Sequence, residues 1–297
     1  MTVRRYAFET LDVFTRQRFG GNPLAVVHAA DALSDAAMKT VASEFNLSET
    51  IFLRAPQDPD NTASVRIFNR THELPFAGHP AIGAAVALAR RVTVRGPVRL
   101  EAPAGLIVAR LEHDDDASPI GATIIAPQPL SLGPELPVAE VAHCLGLSEK
   151  DLVTASHRPR VASMGSVYVL AELRPEALAR CAPDLSAFRA VVASRPDLAG
   201  RLSIHVYARS GAGPVRARMF APLAGTWEDP ATGSANGPLA GLLLQLSGAD
   251  SETFQIEQGA DMGRPSHLTV RAWRADQAIH AEIAGGCVSV MQGEITI

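Results

Sequence analysis

Two segments of the chain are apolar on every side of a helix, which sets them apart from the amphipathic pattern elsewhere. Residues 84–89 read Ala-Ala-Val-Ala-Leu-Ala, and residues 239–246 read Leu-Ala-Gly-Leu-Leu-Leu-Gln-Leu. A helix that has no polar face must be buried on all sides. The sequence therefore predicts one central, buried helix in each half of the chain, the first over about residues 80–91.

The other segments alternate between apolar and polar positions or carry a single apolar face. Ser34 is suited to cap a helix over residues 35–45, whose apolar face places it on the outside. Further helices are predicted over residues 138–147, 174–181 and 185–194, and strands over residues 3–14, 24–27, 51–53, 65–68, 97–102, 105–112, 121–126, 161–172, 202–209, 215–221, 253–258, 267–273, 278–283 and 287–291. A curved, mostly antiparallel sheet wrapped around a helix buries that helix on every side. The predicted fold class is therefore α+β, with barrel-like sheets around central helices.

Each apolar helix follows the same motif, which indicates that the chain consists of two related halves. Residues 73–83 and 228–238 both contain Glu-x-Pro-x-x-Gly, then a polar residue, and then an early proline that suits a first helical turn. The motif glycines, Gly78 and Gly233, are 233 − 78 = 155 residues apart, about the length of one domain.

A Pro-rich segment, residues 127–137, is the best candidate for the junction between the halves. At 297 residues and 47% hydrophobic content, the chain is long enough to bury two ordinary cores. We therefore expect an N-terminal domain over residues 1–127 and a C-terminal domain over residues 128–287.

Charge and cysteine content argue against several classes of partner and site. The net charge is −4 with a pI of about 6.1, and just two of the 27 basic residues are lysines, so no basic run would bind nucleic acid. The N-terminus lacks an apolar signal segment and no run of about 18 apolar residues occurs, which predicts a soluble, cytoplasmic protein. The cysteines Cys144, Cys181 and Cys287 are odd in number and far apart, so neither a disulfide framework nor a metal site is predicted.

The start of each buried helix is the place where chemistry is expected. Unpaired backbone N–H groups and the positive end of the helix dipole suit a bound carboxylate. Two such helix starts can face each other across a domain junction, a common location for small-molecule sites. The polar candidates at these positions are Glu49, His79, Asp229 and Ser234.

Each candidate also has a structural interpretation. Asp229 precedes a proline and could shape a turn, and Ser234 could cap its helix. His79 is expected to be neutral, because the helix dipole disfavours its charged form. Glu49 precedes an apolar run and is either partly desolvated, with a pKa raised toward that of a general base, or a surface residue at the start of a strand.

Five sequence blocks, in a fixed order along the chain, carry a resemblance to a known family. They are residues 19–26 (Phe-Gly-Gly-Asn-Pro-Leu-Ala-Val), 44–50 (Glu-Phe-Asn-Leu-Ser-Glu-Thr), 73–80 (Glu-Leu-Pro-Phe-Ala-Gly-His-Pro), 228–235 (Glu-Asp-Pro-Ala-Thr-Gly-Ser-Ala), and Gln258-Gly259 with Gly263-Arg264-Pro265-Ser266. In these blocks the chain resembles the phenazine-biosynthesis PhzF-like family. The resemblance implies a diaminopimelate-epimerase-like fold of two pseudo-symmetric domains with the site in the cleft between them. It also implies a homodimer, and a last strand, about residues 288–297, that returns to the first domain.

The resemblance further implies a cofactor-free isomerase that shifts a proton on a small unsaturated amino or hydroxy carboxylate. The type member of the family acts on trans-2,3-dihydro-3-hydroxyanthranilate. By similarity, Glu49 would be the acid/base that removes the proton and returns it at another carbon. The groups that would hold the substrate are Gly78, His79, Asp229, Gly233 and Ser234.

Two other functions stay open on the sequence. Relatives with this fold that racemise amino acids use two opposed cysteines, one at each helix start, and neither turn contains a cysteine here. Thiol-based epimerisation is therefore disfavoured. A non-catalytic protein that binds a small carboxylate between its domains is the second alternative.

Overall fold

The structure is a computed structural model that describes residues 3–211 and 213–297. These residues group into two compact units. Unit 1 runs to Pro127 and also includes Glu282–Ile297, and unit 2 is Gln128–Ala281. Residues 282–287, which the sequence analysis assigns to the second domain, group with unit 1 because they pair with its strands.

The secondary structure elements follow one another along the chain with these bounds. Unit 1 contains strands β1 (Arg5–Val13) and β2 (Asn22–Val27), helix α1 (Asp35–Phe45), strands β3 (Glu49–Arg54), β4 (Ala63–Phe68) and β5 (Glu73–Leu74), helix α2 (Gly78–Arg91), and strands β6 (Val98–Ala102), β7 (Gly105–His113) and β8 (Pro119–Ile125). Unit 2 contains β9 (Ser131–Glu135), α3 (Val138–Cys144), β10 (Arg160–Ser163), β11 (Val167–Glu172), α4 (Pro175–Leu178), α5 (Leu185–Ser194), β12 (Ile204–Ala208), β13 (Val215–Ala221), β14 (Thr226–Asp229), α6 (Gly233–Ser247), β15 (Ser251–Gln258) and β16 (Ser266–Ala275). The last strand, β17 (Ala278–Thr296), starts in unit 2 and continues in unit 1.

The strands of unit 1 close into a barrel. Hydrogen bonds join β1 to β2, β2 to β3, β3 to β4, β4 to β6, β6 to β7, β7 to β8, β8 to β17, and β17 back to β1. The pairs β2–β3 and β4–β6 are parallel and the others are antiparallel. At the closure Arg5 lies opposite Thr296, so β17 supplies the closing strand.

Unit 2 repeats the strand order of unit 1. Strand β10 pairs antiparallel with β11, β11 pairs parallel with β12, and β12 pairs antiparallel with β13. Strand β13 then pairs antiparallel with β14 and parallel with β15, and β15 pairs antiparallel with β16. Strands β1 to β7 are joined in the same order and with the same directions. The predicted α+β fold class, with two related barrel-like halves, is confirmed.

Helices α2 and α6 are the centres of the two units. Residues Gly78–Ala87 of α2 are all buried, and so are Gly233 and Ala235–Leu244 of α6. Small side chains allow the close packing, since a Cβ added at Gly83 would lie 2.4 Å from a methyl group of Leu24 on β2. The prediction of two buried central helices is confirmed, although the end of the apolar run in α6 is exposed, with Leu246 44% exposed.

Helix α1 has the bounds and the cap that the sequence predicts. Ser34 Oγ accepts a hydrogen bond from Ala37 N at 3.2 Å. Met38, Val41 and Ala42 are buried on the inner face, where they join an apolar cluster with side chains of the neighbouring strands. The amphipathic pattern therefore places this helix on the outside of unit 1, as expected.

Two strand predictions are wrong, and glycines explain both. Residues 161–172 form the hairpin of β10 and β11 instead of one strand, because the chain turns at Gly165, which has a φ of 125°. Strand β17 runs through Gly285 and Gly286, where the sequence suggested a break. A Cβ at Gly285 would lie 2.2 Å from the ring of Phe14, so glycine there serves close packing within the strand.

Candidate active site

Glu49 is the first residue of β3 and lies beside the start of helix α2. Its side chain is 19% exposed, and Glu49 Oε2 lies 3.3 Å from His79 Nε2. The carboxylate is thus neither in bulk water nor sealed in the core. Of the two interpretations offered by the sequence, a partly desolvated carboxylate describes this position better.

His79 is the second residue of α2 and its side chain is 5% exposed. Burial lowers the pKa of His79 to about 3, so the ring is neutral at physiological pH. A neutral ring was predicted from the helix dipole, and in the structure desolvation is the cause. The contact with Glu49 therefore joins a carboxylate to a neutral imidazole.

The side chain of Asn22 lies against the ring of His79. Asn22 is fully buried on β2, and Asn22 Nδ2 lies 3.4 Å from His79 Nδ1. With the amide in this orientation, its nitrogen donates to Nδ1, and the proton of the neutral ring is on Nε2, the nitrogen that faces Glu49. In the described part of the chain, Nε2 has no aligned hydrogen-bond partner. An unpaired buried donor costs about 1–3 kcal/mol, which is a reason to look for a role in binding or catalysis.

Both central helices begin without a side-chain cap. In α2 the N–H groups of Gly78 and His79 have no acceptor within residues 3–211 and 213–297. The same is true of the N–H groups of Gly233 and Ser234 in α6. Such groups, at the positive end of a helix dipole, attract a carboxylate. The position of the proline differs, because Pro80 is the third residue of α2, whereas Pro238 is the sixth residue of α6 and lies beyond the first turn that was predicted for it.

Asp229 ends strand β14 and is 6% exposed. Asp229 Oδ2 accepts a hydrogen bond of 2.6 Å from Thr232 Oγ1. This bond closes the turn that leads into α6, in agreement with the structural interpretation. It also gives the carboxylate a fixed orientation four residues before Gly233, where the unpaired N–H groups begin.

Ser234 is the second residue of α6, as His79 is of α2. Ser234 Oγ lies 2.7 Å from the hydroxyl of Tyr168 on β11. No side chain caps α6, so the interpretation of Ser234 as a cap is wrong. Its hydroxyl is instead paired with a phenol, which leaves its backbone N–H as a separate donor.

The glutamates of the repeated motif have a role that the sequence analysis did not identify. Glu228 accepts hydrogen bonds of 2.7 and 2.8 Å from Nε and Nη2 of Arg218, and Glu73 accepts the same pair of bonds from Arg66. Each arginine also lies over a phenylalanine two residues further along its strand. These two clamps fasten the segment before each central helix to the neighbouring strand. The repeated Arg-x-Phe before each Glu-x-Pro was the available signal.

The structure thus assembles two sets of candidate residues. Glu49, His79 and Gly78 lie together at the start of α2, and Asp229, Gly233 and Ser234 lie at the start of α6. Among the described residues, no group of three or more His, Cys, Asp or Glu side chains could hold a metal ion. No helix in the same residues is both long and apolar enough to span a membrane.

Comparison with known proteins finds similar chains over nearly the whole length. The sequence profile of the PhzC-PhzF family, described as phenazine biosynthesis-like protein, matches residues 11–293. An uncharacterized isomerase of Mesorhizobium japonicum is 34% identical over 307 residues, covering 100% of both chains. The trans-2,3-dihydro-3-hydroxyanthranilate isomerase of Pseudomonas chlororaphis is 36% identical over 295 residues, or 97% of this chain and 98% of that protein. The crystal structure of a Bacillus anthracis phenazine biosynthesis protein of the PhzF family matches with a TM-score of 0.88 at 23% identity, covering 99% of this chain and 100% of that one.

Proposed function

We propose, given that the chain belongs to the PhzC-PhzF family of phenazine biosynthesis-like proteins and is an isomerase, that Glu49 carries a proton from one carbon of a substrate to another. The observation that supports this most directly is the partly exposed Glu49 carboxylate, 3.3 Å from a buried and neutral His79. A base that must reach a substrate has to be accessible, and a loose contact can tighten when the substrate arrives.

In the proposed reaction, the Glu49 carboxylate takes a proton from a carbon of the substrate and becomes a carboxylic acid. Electron density moves through the unsaturated system, and the carboxylic acid returns the proton at another carbon. Glu49 ends as it began, so the cycle needs no oxidant or reductant. His79 contributes an Nε2–H donor that stays neutral, because burial keeps its pKa at about 3. Such a donor can stabilise charge that develops on the substrate.

The backbone at the helix starts is proposed to hold the substrate. N–H groups of Gly78 and His79 in unit 1, and of Gly233 and Ser234 in unit 2, are donors without a protein acceptor in the described residues, which suits a carboxylate. Asp229 is an acceptor and suits an amino or hydroxyl group.

The first substrate to test is trans-2,3-dihydro-3-hydroxyanthranilate, because the Pseudomonas chlororaphis relative is named for it. It carries an amino group, a hydroxyl group and a carboxylate on an unsaturated ring. These are the groups for which the two sets of donors and acceptors are suited. A small unsaturated amino or hydroxy carboxylate is the proposed substrate class.

The test is turnover of this compound in H2O and in D2O, followed by NMR of the product. We expect the wild-type protein to consume the substrate and, in D2O, to place deuterium at the receiving carbon to the extent that the Glu49 carboxyl proton exchanges with solvent before it is returned. Glu49→Gln should lower kcat by about 10² to 10⁴-fold, since an amide cannot carry the proton. Substrate should still bind to this variant, as judged by calorimetry.

The matched control is Glu44→Gln, which removes an exposed carboxylate on α1 five residues away. It should behave as the wild type does. Unchanged turnover in Glu49→Gln would remove Glu49 from the mechanism. Binding without turnover by the wild-type protein would favour the carboxylate-binding alternative.

We also propose that the protein is a homodimer in the cytoplasm. The resemblance of the sequence to the PhzF-like family supports the dimer, and the location rests on the sequence analysis alone. Light scattering coupled to size-exclusion chromatography measures the mass directly. A mass near 31.4 kDa, the mass of one chain, would contradict the dimer.

A further inference from the structure

In unit 2, a network of hydrogen-bonded and buried polar side chains leads to Asp229. Its members are His205 on β12, Asn236 on α6, Gln258 on β15, and Thr232 directly before α6, with relative exposures of 0, 0, 1 and 6%. Polar side chains so deep in a barrel are retained only when they are hydrogen-bonded. The direction of each hydrogen bond determines how this network acts on the Asp229 carboxylate.

Backbone partners fix the orientation of both amides. Asn236 Nδ2 donates to the carbonyl oxygen of Thr232 at 3.1 Å, which can only accept. Gln258 Nε2 donates to the carbonyl oxygen of Asp229 at 2.8 Å, and Gln258 Oε1 accepts from the backbone N–H of Thr232 at 3.1 Å. Neither amide can be turned over without losing these bonds.

The direction of the remaining bonds follows from these orientations. His205 Nε2 lies 2.9 Å from Asn236 Oδ1, so the histidine donates. Burial lowers the pKa of His205 to about 4, so the ring is neutral and its proton is on Nε2. Asn236 Nδ2 also donates to Gln258 Oε1 at 2.9 Å. Both of these hydrogen bonds are thus donated in the same direction, from His205 to Asn236 and from Asn236 to Gln258.

The network ends at the carboxylate of Asp229. Gln258 Nε2 donates to Thr232 Oγ1 at 3.1 Å, so the hydroxyl proton of Thr232 must point elsewhere, and Asp229 Oδ2 lies 2.6 Å away. A distance of about 2.5–2.7 Å between two oxygens is typical of a hydroxyl that donates to an ionised carboxylate. Aligned donors also polarise one another, which strengthens the last bond.

Unit 1 shows that a barrel can enclose a helix without this network of hydrogen-bonded polar side chains. Phe68 pairs with Thr50 and Phe220 pairs with Ile204, so His205 corresponds to the next residue in unit 1, Ile51. Asn236 is the fourth residue of α6, and the fourth residue of α2 is Ala81. Both counterparts are fully buried and apolar. The polar pair in unit 2 therefore has a purpose other than packing.

We propose that His205, Asn236, Gln258 and Thr232 are positioning residues that hold the Asp229 carboxylate as a fixed, ionised hydrogen-bond acceptor for the substrate. The catalytic consequence rests on the proposed function. The backbone supports the same geometry, since Gly259 has a φ of 75° and a Cβ there would lie 2.5 Å from the carbonyl oxygen of Pro230. The strand that carries Gln258 is thus packed directly against the residue after Asp229.

The test removes the hydroxyl of Thr232, which is the last donor of the network, and keeps the shape of the side chain. In Thr232→Val the hydroxyl becomes a methyl group, whereas Thr232→Ser keeps the hydroxyl. The pKa of Asp229 is measured without substrate, by ¹³C NMR of protein labelled at the aspartate carboxyl carbon. We expect the pKa of Asp229 to rise by about one unit in Thr232→Val and to return toward the wild-type value in Thr232→Ser. The nearby charged groups, Glu228 and Asp261 around Arg218, are common to all these proteins.

Kinetics with the proposed substrate are the second measurement. Thr232→Val should raise KM by about tenfold and change kcat less, because the lost bond orients a binding group. Thr253→Val, at an exposed threonine of β15, is the matched control and should leave both constants unchanged.

The double variant His205→Ile with Asn236→Ala copies the apolar pair of unit 1. It removes the two members of the network that are furthest from Asp229. It should fold and should also raise the pKa of Asp229. A pKa of Asp229 that is the same in the wild type, in Thr232→Val and in the double variant would overturn the proposal. A raised pKa in a protein that does not convert the substrate would support the positioning and count against the proposed function alone.

Discussion

The two helix starts each hold a carboxylate at the end of buried donors, but they hold it differently. Glu49 is 19% exposed and approaches His79 Nε2 at 3.3 Å without the alignment of a hydrogen bond. Asp229 is 6% exposed and accepts a bond of 2.6 Å from Thr232. A carboxylate that must exchange a proton with a substrate has to be accessible, whereas one that only accepts hydrogen bonds gains from being fixed. The comparison therefore favours Glu49 as the proton carrier and Asp229 as a binding group.

Changing each carboxylate in turn would have the largest effect and would break the comparison most directly. Glu49→Asp withdraws the carboxylate by one methylene, and we expect kcat to fall by about 10²-fold with KM little changed. Asp229→Asn keeps the shape and removes the charge, so KM should rise more than kcat falls. Steady-state kinetics measure both constants. The opposite assignment, with kcat most sensitive at Asp229, would reverse the roles.

The two arginine–glutamate clamps sharpen the comparison at the level of stability. Arg218 and Glu228 have side-chain exposures of 9 and 11%, whereas Arg66 and Glu73 have 19 and 32%. Glu228→Gln should lower the free energy of unfolding by about 3 kcal/mol, because Arg218 is buried and its other carboxylate partner, Asp261, lies 3.8 Å away. Glu73→Gln should cost about 1 kcal/mol, since Arg66 keeps Asp35 as a partner and is better solvated. Urea unfolding compares the two, and equal losses would contradict the difference in burial.

Acid pH probes the buried histidines through a loss of stability that is spread over several pH units. His205 and His79 have folded-state pKa values of about 4 and about 3, below the value of about 6.5 for an unfolded chain. Between these values the unfolded chain binds protons that the folded protein does not. Stability is therefore retained above pH 6.5 and decreases as the pH falls toward 4 and 3, by up to about 1.4 kcal/mol per pH unit for each histidine.

The double variant His205→Ile with Asn236→Ala should remove one of these two slopes between pH 6.5 and 4. Unfolding midpoints measured across this range give the slope directly. The wild type and the variant would have parallel profiles if His205 were charged in the folded protein.

The sequence predicted those features that depend on repeated local patterns. An apolar run such as residues 239–246 can be satisfied only by burial, so the central helices and the barrel class followed from it. The motif around Gly78 and Gly233 gave the repeat. Glycines were less informative, because Gly165 makes a turn while Gly285 continues a strand, and the difference lies in what packs against them.

The chain of donors could not be predicted in the same way. His205, Asn236 and Gln258 are far apart in sequence and lie on three different elements, so no local spacing connects them. The signal that existed was a polar residue at a position where the surrounding pattern is apolar, as with Asn236 inside the buried helix. Such a residue indicates a partner elsewhere but does not say which one.

The closure of unit 1 by β17 has a consequence for synthesis of the protein. On the ribosome, residues up to Pro127 emerge long before Glu282–Ile297, so strands β1 and β8 keep open edges until that segment has been translated. The uninterrupted segment 128–281 suffers no such delay. We therefore expect the middle of the polypeptide to become protease-resistant first, and a nascent chain halted at Ala281 to keep its N-terminal portion susceptible to digestion. Early protease resistance of that portion would show that the other seven strands of the barrel form a stable structure without β17.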